Sequence, residues 1–291
     1  MRSDVAAYDL SAPANLQAVL KQLAAEPGRH SLLAGGTELM VALNTGRLGS
    51  RSLISVQHLR ELRFIRIEAD RVCIGAGTTF TDIRRSETIA AELPLLVQAA
   101  SWTGAIANQN RGTIGGNICN ASPAADTPPA LLAYDARVTA LSVRGERTIP
   151  YSDFHLGYKR TALEPDEVLH SVIVPKCYGG WKQYIRKVGT RNAQAISKTA
   201  IAAIATVQDG RIGDIRIGAA SLADRPLHCV QAEVALRGRS VDANELEDTV
   251  QAGRAALARE SKPIDDIRST AMYRSAVAQN LLEEFVRQLA S

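Results

Sequence analysis

The 291-residue chain lacks most of the signatures by which a sequence declares its chemistry. Its four cysteines, Cys73, Cys119, Cys177 and Cys229, lie far apart, with no CxxC pair and no cysteine–histidine cluster. That spacing argues against a zinc or iron–sulfur site held by this chain, and scattered thiols without a disulfide framework fit a reducing cytoplasm. The histidines form no HxxxH or HExxH pattern and no GxSxG is present, so hydrolysis is not expected. No stretch approaches the roughly 18 apolar residues of a membrane span. Met1 to Leu10 carries Asp4 and Asp9, and no apolar core of signal-peptide length follows. The 34 Lys and Arg are interspersed with 30 Asp and Glu for a net charge of +4, too weak and too mixed for nucleic acid as the main partner. The usual nucleotide fingerprints are missing as well. The nearest approach to GxGxxG is Gly75-Ala76-Gly77-Thr78-Thr79-Phe80, where phenylalanine fills the last glycine position, and it reads as an ordinary strand-to-turn feature.

What is present is more specific. Two glycine-paired segments, Leu32-Leu33-Ala34-Gly35-Gly36-Thr37-Glu38-Leu39 and Arg111-Gly112-Thr113-Ile114-Gly115-Gly116-Asn117, lie about eighty residues apart. Each sets backbone that tolerates close approach beside small hydroxyl or amide side chains, the chemistry needed to hold a pyrophosphate. A dinucleotide is the implied ligand.

With 46% hydrophobic and 22% charged residues, the chain can bury one large core or two. Asn15 to Leu23 reads as an amphipathic helix, and Ser31 to Ala34 as a short strand entering the Gly35-Gly36 turn, with Thr37 as cap of the next helix. Arg51 to Val56 closes a small α/β lobe. Strands around 64–67 and 72–75, a helix at 93–102, a short helix opened by Pro128-Pro129 and strands at 137–143 and 168–174 make a second lobe. From Gly104 to Ala125 no period is visible, and loop is expected there. Pro175 and Gly179-Gly180 mark a boundary. Beyond it, strands at 181–188, 199–208 and 212–219, with a hairpin turn at Asp209-Gly210, precede three helical segments.

The second glycine segment continues as Ile118-Cys119-Asn120-Ala121-Ser122-Pro123-Ala124-Ala125-Asp126. With that continuation the whole chain resembles the medium, FAD-binding subunit of the molybdenum hydroxylases, the family of bacterial xanthine dehydrogenases and carbon monoxide dehydrogenase. The resemblance implies an α+β protein: a two-lobed FAD-binding domain of the vanillyl-alcohol-oxidase type over residues 1–175, with lobes of about 1–56 and 57–175, then a smaller α+β C-terminal domain over 176–291. It also implies non-covalent FAD and no catalytic side chain. A large molybdopterin-binding subunit and a small subunit with two two-iron two-sulfur clusters are the implied partners, in a dimer of heterotrimers. Electrons would pass from the clusters through FAD to NAD or another acceptor.

Carried over residue by residue, Leu32, Leu33, Ala34, Gly35, Gly36, Thr37, Glu38 and Leu39 would line one clasp, with the amides of Gly35, Gly36 and Thr37 facing phosphate oxygens. Thr113, Ile114, Gly115, Gly116 and Asn117 would line the other. Asp126 matches a polar contact to the cofactor, although by residue type it serves equally as a helix cap ahead of Pro128-Pro129. Leu169 matches an apolar residue at the flavin ring and would otherwise be plain core. Lys187 matches a basic residue near the flavin, against a solvated strand-face lysine, with Lys198 as the other candidate. Cys119 takes a position near the ring where relatives often carry an aliphatic residue. The Ile-Arg-Asn-Arg-Gly of many relatives reads Asn108-Gln109-Asn110-Arg111-Gly112 here, so one cation is replaced by Gln109. A stand-alone flavin reductase or oxidase on the same fold, and a docking subunit that has lost its flavin, remain the competing readings.

Overall fold

The computed structural model describes residues 7–191 and 194–290. Met1 to Ala6, part of the N-terminal stretch read above as lacking a signal sequence, lie outside them.

The first lobe is a three-stranded parallel sheet in the order Asp9–Ser11, Ser52–Ser55, His30–Leu33. Helix Leu16–Ala25 covers it. Its start is fixed by Asn15, whose side chain accepts from the Ala18 amide at 2.9 Å. Leu16, Val19, Leu20 and Leu23 recur at helical spacing and pack against Ile54, Val56 and Leu59.

The second lobe is a five-stranded antiparallel sheet in the order Ile65–Ile67, Arg71–Gly75, Val168–Pro175, Arg137–Ser142, Gly145–Pro150. Helices Phe80–Arg85, Glu87–Glu92 and Pro94–Trp102 leave from Arg71–Gly75. The first of them is fixed by a capping box between Thr79 and Asp82. They share a core with Ile74, Tyr134 and Val172. Residues 104–125 are not the continuous loop expected. They hold two short helices, Ile106–Gln109 and Ile114–Cys119, the second capped by the Thr113 hydroxyl, which accepts from the Gly116 amide at 3.0 Å. Neither helix is long enough to show a hydrophobic period, which is why the sequence conceals them.

The C-terminal region is a four-stranded antiparallel sheet, Lys182–Val188, Thr199–Gln208, Arg211–Ala220, Leu227–His228, with helices Val230–Leu236, Leu246–Glu260 and Ala271–Leu289. Strand Thr199–Gln208 is apolar on both faces because both are covered. Ile201, Ala203 and Ala205 join the helices around Phe285, while Ala202 and Ile204 join the core of the second lobe. Between the two sheets lies the fully buried helix Pro128–Ala133. It packs so closely that a Cβ on Gly218 would stand 2.2 Å from the Pro129 carbonyl oxygen. Among the described residues no helix is long and apolar enough to cross a membrane.

Candidate cofactor-binding junction

The first glycine turn lies at the carboxyl end of the parallel strand His30–Leu33, where open sheets place their ligands. Gly36 adopts φ +75, a left-handed conformation natural to glycine. The helix that follows runs Leu39–Asn44, and its N-cap is Glu38, with no side-chain cap bond. Thr37 therefore does not cap it, contrary to the sequence expectation, because the turn continues one residue further. The amides of Gly35, Gly36, Thr37 and Glu38 find no acceptor among the described residues. A row of unpaired N–H groups at a helix start is an anion site in waiting.

The second segment packs directly on this turn. A Cβ on Gly35 would lie 2.0 Å from the Arg111 carbonyl oxygen, and the Arg111 Nε donates back to the Gly35 oxygen at 3.2 Å. The two glycine segments thus converge as the resemblance implies. Their contributions differ, however. The amides of Ile114, Gly115, Gly116 and Asn117 are all taken, by Thr78 O, Ala76 O, Thr113 Oγ1 and Thr113 O respectively. This side therefore offers hydroxyl and amide side chains and a smooth glycine wall, with the Thr113 hydroxyl proton still free to donate. The bonds to Ala76 and Thr78 give the segment Gly75 to Thr79 a part that its sequence reading missed: it is the floor on which Ile114–Cys119 rests. A Cβ on Gly115 would meet Ala76 Cβ at 2.5 Å.

Asp126 and Lys187 meet each other. Lys187 Nζ lies 2.7 Å from Asp126 Oδ2 and also donates to the Trp102 carbonyl at 3.2 Å, while Ser197 Oγ donates to Asp126 Oδ1 at 2.7 Å. Both charged side chains are only 10% exposed, so Lys187 is not a solvated lysine. The N-cap of helix Pro128–Ala133 is Thr127 without a cap bond, so Asp126 is not a capping residue either. Burial raises the Asp126 carboxyl above its usual range against the opposing pull of Lys187 and Ser197. Thr127 in turn donates to Asn117 Oδ1 at 2.6 Å, which ties this pair to the second glycine segment. Lys198, the other candidate cation, stands over the Tyr273 ring at 5.0 Å.

Cys119 is solvent-accessible yet ringed by protein, and that surrounding mass pushes its thiol up to about 12, so it stays protonated at neutral pH. Leu169 is 4% exposed and pairs with Ala140 in the central sheet. It is core by packing, with a strand irregularity beside it that lets the His170 carbonyl accept from the Ala76 amide at 2.8 Å. An open groove of about 950 Å³ lies elsewhere, lined by Arg144, Glu146, Arg147, Asp166 and Glu167. Its arginines are already paired with Asp166 and Glu167, so the glycine junction, with unpaired amides, is the better ligand site. Among the described residues no group of His, Cys, Asp or Glu could hold a metal ion.

Comparison with known proteins gives the family. Residues 6–177 match the FAD binding domain in molybdopterin dehydrogenase, and residues 184–289 match the CO dehydrogenase flavoprotein C-terminal domain. The chain belongs to the family of FAD-binding subunits of molybdenum hydroxylases. It is 30% identical to the xanthine dehydrogenase FAD-binding subunit of Escherichia coli O157:H7, over 98% of this chain and 96% of that protein. It is 31% identical to the carbon monoxide dehydrogenase medium chain of Hydrogenophaga pseudoflava, over 91% and 90%. A solved structure of carbon monoxide dehydrogenase from Hydrogenophaga pseudoflava, lacking the Mo-pyranopterin moiety of its cofactor, superposes with a TM-score of 0.90 at 30% identity, covering 95% of each chain.

Proposed function

We propose that this chain is the electron-relay subunit of a heterotrimeric molybdenum hydroxylase. It would work in the cytoplasm with a large molybdopterin subunit and a small iron–sulfur subunit, assembled as a dimer of heterotrimers. Electrons from oxidation of a heterocycle, purine or aldehyde would leave through FAD to NAD or another acceptor. The observation that carries the reading is the turn Gly35–Glu38, whose amides are unpaired and which packs on Arg111-Gly112 at the start of the second glycine segment.

The residues present suit FAD. Gly35, Gly36 and Thr37 would bind the diphosphate by main-chain N–H groups, with Leu32, Leu33, Ala34, Glu38 and Leu39 shaping the turn around them. Thr113, Ile114, Gly115, Gly116 and Asn117 would flank the diphosphate and the ribityl chain. Cys119, Asp126, Leu169 and Lys187 would lie toward the flavin ring. Bound flavin supplies the exchange between paired and single electrons that a relay needs. The chain's own part is electrostatic: the Lys187 ammonium, held by Asp126 and the Trp102 carbonyl, stands ready to favour negative charge on a bound ring. We place the domain boundary at 175/176, after strand Val168–Pro175 and close to the gap between residues 177 and 184 that separates the two family models.

The test is purification of the full chain, followed by a visible absorption spectrum and titration with FAD. A flavin spectrum, and co-purification with molybdenum-containing and iron–sulfur subunits, is the expected result. A colourless chain that FAD cannot reconstitute would refute the assignment.

A further inference from the structure

The turn bearing the unpaired amides is gripped at both ends by cations of the other lobe. At its start, Arg111 holds the Gly35 oxygen through Nε and reaches Gln57 Oε1 through Nη2 at 3.0 Å. At its far end, Lys159 Nζ stands 3.6 Å from Glu38 Oε1 and also donates to Asn120 Oδ1, at the end of helix Ile114–Cys119. Lys159 lies at the tip of the small hairpin formed by His155–Gly157 and Arg160–Thr161. Its backbone there is left-handed, with φ +56. Glycine takes that conformation freely and lysine does not, so what recommends a lysine at this position is its side chain.

We propose that Lys159 is a positioning residue for the cofactor diphosphate: acting through Glu38, and braced on Asn120, it fixes the far end of the amide-bearing turn against the second glycine segment. This rests on the FAD reading given above. Arg111 fixes the near end through a main-chain oxygen, so neither cation has to touch the ligand. What they set is the spacing between the free amides of Gly35–Glu38 and the wall of Thr113–Asn117. The Lys159–Glu38 contact is partly exposed, at 38% and 63%, so its hold is modest and weakens with salt.

The experiment uses the full chain stripped of flavin and titrated with FAD and, separately, with riboflavin, which has no phosphate. Lys159→Gly removes the ammonium while relieving the left-handed strain. It is expected to weaken FAD binding by about 3- to 5-fold, the range of an exposed ion pair, with riboflavin binding unchanged and thermal stability not lowered. Lys159→Arg restores FAD affinity, and Glu38→Gln combined with Lys159→Gly binds no more weakly than Lys159→Gly alone. Unchanged FAD affinity in Lys159→Gly, an equal loss of riboflavin affinity, or a loss that follows a fall in melting temperature would each overturn the proposal while leaving the FAD reading intact. A wild-type chain that takes up no FAD takes both down.

Discussion

Replacing Gly35 by alanine tests whether the two glycine segments form one binding surface. The new Cβ would sit 2.0 Å from the Arg111 oxygen, 2.5 Å from the Arg111 carbonyl carbon and 2.9 Å from the Gly112 nitrogen. All three are backbone atoms in a segment bonded to Ala76, Thr78 and Phe80, so none yields cheaply. The turn must therefore retreat by roughly 1.4 Å to reach an ordinary van der Waals separation. Overpacking of this kind costs about 1–3 kcal/mol of stability. The larger effect falls on the ligand. A phosphate oxygen held at about 2.9 Å by an amide leaves hydrogen-bond reach after such a shift. Bonds to a charged acceptor contribute about 1.5–3 kcal/mol each, so loss of two weakens FAD by about 3–6 kcal/mol, a hundred- to ten-thousand-fold in Kd. Gly46→Ala is the control: Gly46 has φ +68 and no atom within 4 Å of an added Cβ. It should lose about 1 kcal/mol of stability through its left-handed backbone alone and keep its FAD affinity. Flavin fluorescence titration paired with urea unfolding separates the two. If Gly35→Ala binds FAD within about threefold of wild type, the convergent-clasp argument is wrong.

Asp126→Asn should destabilise the chain by about 3 kcal/mol, because it strands the Lys187 ammonium in a buried place, and adding Lys187→Met should recover part of that loss in a urea double-mutant cycle. His155, buried at 4% exposure with Nε2 3.1 Å from the Tyr151 hydroxyl, is lowered by burial to about 4, so its neutral form is the folded one. A depressed histidine stabilises above its unfolded pKa and loses that contribution as pH falls, here between about 6.5 and 4, worth about 3 kcal/mol. His155→Gln should flatten that part of the stability–pH curve, and a curve of unchanged slope would contradict the sign. Thr113→Val should cost about 1 kcal/mol by removing the cap on Gly116, and should weaken FAD if the hydroxyl proton reaches the ligand.

The glycine pairs were legible because they answer a demand made on single residues. Gly35 has no room for a Cβ and Gly36 needs a positive φ, so the requirement is written at the position itself. The same holds for the apolar face of the helix read at Asn15 to Leu23, although Asn15 proves to be its cap and not its first residue. Segment Gly75–Thr79 is the strand-to-turn feature its sequence suggests, but nothing local showed that it supports the second glycine segment. Gly75 and Gly77 in fact make room for the Leu62 carbonyl, at 2.4 and 2.9 Å from an added Cβ, and so swing Ala76 and Thr78 under the second clasp. The Asp126–Lys187 bond joins residues 61 positions apart, and no local pattern records it. Capping and solvation were the local readings of those two residues, and tertiary packing overrode both.

That ion pair also explains why the C-terminal sheet is more than an appendage. Lys187 and Ser197 come from beyond the second lobe, yet both bond Asp126, two residues before the buried helix Pro128–Ala133. The same helix is wedged against Gly218 from below and shares a core with Ala202 and Ile204. Movement of the C-terminal sheet would therefore pull on Asp126 and, through Thr127 and Asn117, on the helix that carries the second glycine wall. Side-chain bonds and close packing thus link the C-terminal sheet to the second glycine segment through Asp126, Thr127 and Asn117.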